Sequence, residues 1–300
     1  MNYLIIGTGG VGGALGGFLA SSGHNVDFIA HGKTLDELKN KGLKIKSGIK
    51  GEIFIPNVNA YSIEGYDNTA DVIFICVKYY SIKGIISLLK KASDKSVIIP
   101  LLNGYGIGEK LRQETNMNNI IDGCIYISSY VEAPGSIVQL GSLFKLVFGA
   151  VNGNYESLDI IKNDLLNSGV EAIISNNIEQ DLFKKFSFVS SCAACGAYYD
   201  AAAGLIQSEE KYKNTFIELC REIDAIGKKL NFKFYPDLTE VNLKTLYTLP
   251  KDATSSLYKD IKSGQRSEVD SLIFKVVSLG EELGVETPTY KIIADHFGYK

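Results

Sequence analysis

The chain has 300 residues, 45% of them hydrophobic, with 31 Lys and Arg against 34 Asp and Glu for a net charge of −3. That length is enough for two modest hydrophobic cores, and the balanced charge excludes the basic footprint of a nucleic-acid binder. No apolar run reaches membrane-spanning length, and the glycines and charge near the N-terminus do not form a secretory signal, so no membrane is expected and a cytoplasmic location is.

Residues 3–6 form an apolar strand that runs into Gly7-Thr8-Gly9-Gly10-Val11-Gly12, and a helix rich in small residues follows. This is the Gly-x-Gly-x-x-Gly turn of a nucleotide-binding βαβ unit. Gly7 permits the tight turn, Gly9 lets backbone approach a pyrophosphate, and Gly12 lets the helix close on the strand. The helix N-terminus then offers N–H groups and partial positive charge to phosphate. Thr8, Gly10 and Val11 complete the expected cofactor loop.

A second apolar strand is expected over 26–30. At its end an NAD-type site places a carboxylate for the ribose 2′-hydroxyl, yet the chain reads Ala30-His31-Gly32-Lys33 and Asp27 lies mid-strand. Lys33, with His31, would instead meet a 2′-phosphate, which favours NADP(H) over NAD(H). The plain alternative is that Gly32-Lys33 is a solvated loop.

Strand and helix alternation continues as a doubly wound sheet, with a buried strand over 71–77, a helix over 81–92 and a strand over 96–101. Further strands are expected over 123–129, 137–140 and 145–149, with Pro134-Gly135 as a turn, then a helix over 157–168 and a strand over 171–174. From 178 onward the pattern is helical, with helices expected over 179–197, 208–230, 237–246, 255–262 and 268–283 and a last one after Pro288; Gly264 and Gly284 mark ends. The expected fold is α/β, an N-terminal Rossmann-type domain over 1–175 followed by an all-helical domain over 176–300. With no Pro- or Ser-rich linker between them, the two are expected to pack closely, with a cleft at their junction.

The five cysteines, Cys76, Cys124, Cys192, Cys195 and Cys220, are odd in number and sit in apolar surroundings, as reduced thiols do. Cys192-Ala-Ala-Cys195 has redox or metal spacing but lies in a run of small residues without a second pair or a histidine, so packing is expected there and no metal is. Lys78 and Asn103-Gly104 follow strands at the ends where ligands bind. Each also has a plain reading, as a surface lysine and an ordinary turn. Lys184-Lys185 opens a largely apolar helical stretch as a solvated flank would, and Ser255-Ser256 and Glu268 read equally as helix caps or exposed charge.

The spacing of Gly7-x-Gly9-x-x-Gly12, Cys76-Val77-Lys78, Asn103-Gly104, Phe183-Lys184-Lys185-Phe186, Ser255-Ser256 and Ser267-Glu268-Val269-Asp270, followed by Leu279 to Pro288, closely resembles the ketopantoate reductase (2-dehydropantoate 2-reductase) family along the entire chain. The resemblance implies a helical domain like the C-terminal domain of 6-phosphogluconate dehydrogenase. It also implies reduction of 2-dehydropantoate to (R)-pantoate by NADPH in pantothenate and coenzyme A biosynthesis. Under it Lys185, two residues after Phe183, is the general acid in preference to Lys184. Asn103 positions substrate and nicotinamide, Lys78 lies beside the cofactor, Ser256 bonds the substrate carboxylate, and Glu268 holds the substrate hydroxyl and orients Lys185.

The chain departs from the family pattern where specificity resides. Family members carry asparagines four and eight residues after the catalytic lysine, where this chain has Val189 and Ala193, and Leu102 replaces a glutamine. Ser187, Ser190 or Ser191 could supply donors in their place, although serine within a helix more often bonds its own backbone. Three functions therefore stand: ketopantoate reduction, reduction of another small 2-keto acid, and a dinucleotide-binding sensor without turnover. Monomer and homodimer are both compatible with the sequence.

Overall fold

The computed structural model describes residues 1–150 and 157–300. Its strands are β1 (Asn2–Ile6), β2 (Asn25–Ile29), β3 (Leu43–Ser47), β4 (Gly51–Ile55), β5 (Asn59–Tyr61), β6 (Val72–Ile75), β7 (Val97–Pro100), β8 (Asp122–Ala133), β9 (Ser136–Gly149) and β10 (Glu171–Ile174). Interleaved with these are helices α1 (Gly10–Ser21), α2 (Gly32–Lys41), α3 (Ile82–Leu89), α4 (Ile107–Thr115) and α5 (Ser157–Asn167). Helices alone follow: α6 (Ile178–Tyr199), α7 (Ala203–Ser208), α8 (Glu210–Lys229), α9 (Leu238–Thr248), α10 (Ser256–Lys262), α11 (Lys275–Leu283) and α12 (Pro288–His296). Two compact units result. The first comprises Met1–Leu102 and Gly106–Glu179; the second comprises Gln180–Lys300 together with the short segment Asn103–Tyr105.

In the first unit a parallel sheet runs in the order β5-β2-β1-β6-β7. Its central strands β1, β6 and β7 read as apolar runs because both faces are covered. Tyr3, Ile5, Val72, Phe74, Val97 and Ile99 point into one core with α1 and α5, whereas Leu4, Ile6, Ile73, Ile75 and Ile98 point into a second with α3 and α4. The later strands, expected to extend this sheet, build a separate mixed one in the order β10-β9-β3-β4, with β8 antiparallel to β9. The two strands expected over 137–140 and 145–149 are one continuous strand, β9. Gly141, at φ +66°, and a bulge opposite Ile127 and Ser128 break its side-chain alternation and shift its register on β8, which passes from Leu140 to Phe144.

The β3–β4 hairpin, the short β5 and helices α2 and α4 were not expected from the sequence. In β3, buried Leu43 and Ile45 alternate with exposed Lys44 and Lys46, a weak signal over five residues. In the second unit the expected 208–230 helix starts two residues later, after the separate turn of α7, and the expected 268–283 helix begins as a π segment over Asp270–Phe274 before α11. Gly264 and Gly284 follow α10 and α11 at φ +67°. Phe183, Phe186, Phe216, Leu272 and Tyr290 lie in the helical core. Among the described residues no helix is long and apolar enough to cross a membrane.

Candidate active site

The nucleotide-binding half is local. Gly7 adopts φ +98°, and a Cβ there would stand 2.9 Å from Val77 Cγ1 and 3.0 Å from the Cys76 carbonyl carbon. A Cβ on Gly12 would overlap the Gly7 carbonyl oxygen, so α1 rises directly from the turn only because position 12 has no side chain. Gly9 differs: it is the N-cap of α1, and a Cβ added to it would meet nothing within 4 Å. The first turn of α1 carries neither a side-chain cap nor a carboxylate, so its amide end is left to an anion. Open space at Gly9 over an uncapped helix end fits a dinucleotide pyrophosphate.

The neighbouring residues fix this loop. The Thr8 hydroxyl donates to the Ile29 carbonyl at 3.1 Å, and the Gly7 amide donates to the same oxygen at 3.2 Å, tying the loop to the end of β2. Gly10 lies against the Ser129 backbone of β8, and Val11 packs on the core. His31 is the N-cap of α2, and Gly32 and Lys33 open it; all three are exposed, with no carboxylate in that first turn. Lys78 is half-buried three residues beyond the end of β6 at Ile75, where it caps a 3-10 turn over Tyr79–Ser81.

The second unit carries the catalytic candidates. Lys185 sits in the second turn of α6, half-buried, and its Nζ donates to Asn103 Oδ1 at 2.9 Å. Asn103 belongs to this unit although it follows a strand of the other, because Tyr105 anchors the segment. The Tyr105 ring meets Phe183 edge-on at 5.1 Å and stacks on Phe186 at 5.9 Å. Phe183 and Phe186 flank Lys185 in sequence and are buried, so the aromatic cluster that seats Tyr105 also fixes the root of the lysine. Lys184 is exposed, as a solvated flank would be.

The remaining candidates occupy separate positions. Ser255 caps α10, its hydroxyl accepting from the Tyr258 amide at 3.1 Å, and Ser256 is the exposed first residue of that helix. Glu268 is buried, 4% exposed, two residues before the π segment. Val189 is half-buried and Ala193 fully buried, and both pack in the helical core; Leu102 is buried in the first unit. Cys195 and Cys220 belong to the helical core and Cys192 packs against it. Burial pushes the Cys195 thiol up to about 12 and the Cys220 thiol up to about 11. Among the described residues no group of three or more His, Cys, Asp or Glu could hold a metal ion.

Tyr105 was missed in the sequence. Its one signal was position, an aromatic between Gly104 and Gly106 beside the Asn-Gly pair.

A parallel sheet in the order β5-β2-β1-β6-β7 with a glycine turn at the head of α1 is a dinucleotide-binding fold. Residues 3–153 match the family model described as ketopantoate reductase PanE/ApbA, and residues 177–299 match the model for the C terminal of that family. The chain belongs to the ketopantoate reductase family. It is 30% identical over 295 residues to the uncharacterized oxidoreductase YkpB of Bacillus subtilis (strain 168), covering 98% of this chain and 96% of that one. It is 26% identical to a 2-dehydropantoate 2-reductase of Aquifex aeolicus (strain VF5), covering 98% and 94%. Its fold is shared with a D-mandelate dehydrogenase solved as a ternary structure with NADH and anilino(oxo)acetate, at a TM-score of 0.89 and 19% identity, covering 98% and 96%.

Proposed function

We propose that the chain reduces 2-dehydropantoate to (R)-pantoate with NADPH, a step of pantothenate and coenzyme A synthesis. Residues 1–175 would act as the NADP-binding domain and residues 176–300 as the domain for substrate and catalysis. The observation that carries this reading is the Lys185 Nζ to Asn103 Oδ1 hydrogen bond at 2.9 Å, which holds a proton donor in one direction. The dinucleotide, when bound, supplies hydride to the keto carbon. Gly7 to Gly12 would hold its pyrophosphate, Lys33 and His31 its 2′-phosphate, and Lys78 would lie beside it.

The residues of the second unit handle the developing charge. As the carbonyl carbon is reduced, negative charge gathers on its oxygen, and the Lys185 ammonium both stabilises that oxygen and gives it a proton. Asn103 holds the ammonium in place and positions the substrate. Ser256 would donate to the substrate carboxylate and Glu268 would accept from its hydroxyl. Free thiols accord with a reducing compartment, here the cytoplasm.

A second reading is favoured by Val189 and Ala193. Apolar groups at both positions suit a 2-keto acid without the terminal hydroxyl, since a site that lacks polar partners gains nothing from that group. The D-mandelate dehydrogenase neighbour, solved with anilino(oxo)acetate, gives that reading a precedent within the fold. NADPH oxidation with 2-dehydropantoate, measured beside 2-keto acids lacking the hydroxyl, separates the two. Preferred turnover of 2-dehydropantoate supports the first reading, and preference for an apolar keto acid replaces it with the second. Nucleotide binding without turnover of any of them would point to the sensor.

A further inference from the structure

Helix α6 carries a second set of polar groups on a different face from its lysine. Ser187, Ser190 and Ser191 are all completely buried. The Ser190 hydroxyl donates to the Leu272 carbonyl at 2.6 Å and lies 2.8 Å from the Tyr290 hydroxyl, which is 3.1 Å from the Ser191 hydroxyl. The proton order of this chain is fixed. A carbonyl only accepts, so the single proton of Ser190 goes to Leu272; Tyr290 must then donate to Ser190, and Ser191 to Tyr290. The chain runs one way, from Ser191 through Tyr290 and Ser190 to the Leu272 carbonyl, and each member polarises the next.

The chain is anchored at Tyr290 and at Leu272. Tyr290 is fully buried on α12, and its amide, with that of Thr289, is held by the Glu222 carboxylate of α8 at 3.0 and 2.7 Å. Leu272 sits in the middle of the π segment, where an outside hydroxyl takes a share of a carbonyl that a regular helix would give to its own ladder. The Glu268 carbonyl, one turn earlier, accepts from the Leu272 amide at 3.1 Å and the Ser271 hydroxyl at 3.3 Å.

We propose that Ser190 is a positioning residue. Through the Leu272 carbonyl it fixes the π turn that follows Glu268, and so fixes the Glu268 carboxylate relative to Lys185, which rides on the same helix as Ser190. The tie lies five residues from Lys185 and four from Glu268, a little over one helical turn from each, close enough for a shift at the bond to reach both groups. This inference rests on the reading that Lys185 and Glu268 act together on a 2-keto acid.

The test compares Ser190→Ala, Ser190→Thr and Tyr290→Phe in the full chain. Ser190→Ala is expected to lower kcat for the 2-keto acid about 10- to 100-fold, the scale of a small misplacement of reacting groups. It should alter the pH profile of kcat and leave the Kd for NADPH unchanged. Ser190→Thr keeps the hydroxyl and should restore kcat. Tyr290→Phe keeps the Ser190 to Leu272 bond and should lower Tm while sparing kcat. Equal loss of kcat in Ser190→Ala and Tyr290→Phe, or a Ser190→Ala protein with lowered Tm and wild-type kcat and pH profile, would overturn the proposal.

Amide hydrogen exchange gives a readout independent of turnover. Residues 268–277 should exchange faster in Ser190→Ala than in the wild type, and unchanged exchange there overturns the tie. A wild-type protein that reduces no 2-keto acid would sink the functional reading instead, while exchange would still decide whether Ser190 holds the turn.

Discussion

The two units carry their chemistry in opposite ways. In the first, the proposed cofactor loop is six consecutive residues, and its shape follows from the three that have no side chain: Gly7 turns, Gly12 lets α1 close, and Gly9 leaves space. In the second, Asn103, Lys185, Ser256 and Glu268 are scattered along the chain, and Asn103 comes from a loop that the Tyr105, Phe183 and Phe186 cluster captures. A backbone device is contiguous because it is made by one turn. A proton-transfer device needs side chains from several elements, and of these four the tertiary structure pairs Lys185 with Asn103.

That contrast separates the effects of substitution. Lys185→Met should lower kcat about 10²- to 10⁴-fold, the usual contribution of a general acid, with NADPH affinity retained; fluorescence titration beside initial rates checks it. Gly12→Val should do the reverse. It forces α1 away from the Gly7 carbonyl, costs about 1–3 kcal/mol of stability as overpacking does, and weakens NADPH binding, read from the denaturation midpoint and the same titration.

Smaller effects sharpen the comparison. Lys33→Ala is expected to raise the KM for NADPH about tenfold with little change for NADH, because an exposed lysine contributes roughly one charge-assisted contact to a 2′-phosphate. The smallest effect comes from the thiols of the helical core. Burial holds Cys195 and Cys220 up to about 12 and about 11, whereas in the unfolded chain they ionise near the ordinary thiol value of 9.0. The unfolded state therefore loses protons first. Stability is full below about pH 9 and falls as pH rises toward the folded values. Replacing both cysteines with alanine should flatten the decline of Tm between about pH 9 and pH 11.

Legibility in the sequence followed the same division. Strand β1, the glycine turn and helix α1 were readable because short-range spacing dictates them, and β10 was placed at its observed ends. The β3–β4 hairpin was not, since five residues of alternation carry little signal, and β9 appeared as two strands because Gly141 interrupts its pattern. The capture of Asn103 by the helical unit was invisible, because it depends on ring contacts between residues about eighty positions apart. The π segment was invisible too. The apolar spacing over 268–283 describes a plain helix, and the departure lies in the backbone of Asp270–Phe274.

In the proposed reaction, hydride would pass from the dinucleotide to C2 of a 2-keto acid while Lys185 supplies the proton. Incubation with 2-dehydropantoate and NADPH deuterated at the transferable position, followed by NMR of the product, tests it most directly. Pantoate carrying deuterium at C2 is expected from the wild type and almost none from Lys185→Met. Tight NADPH binding with no labelled hydroxy acid from 2-dehydropantoate or any other 2-keto acid would contradict it.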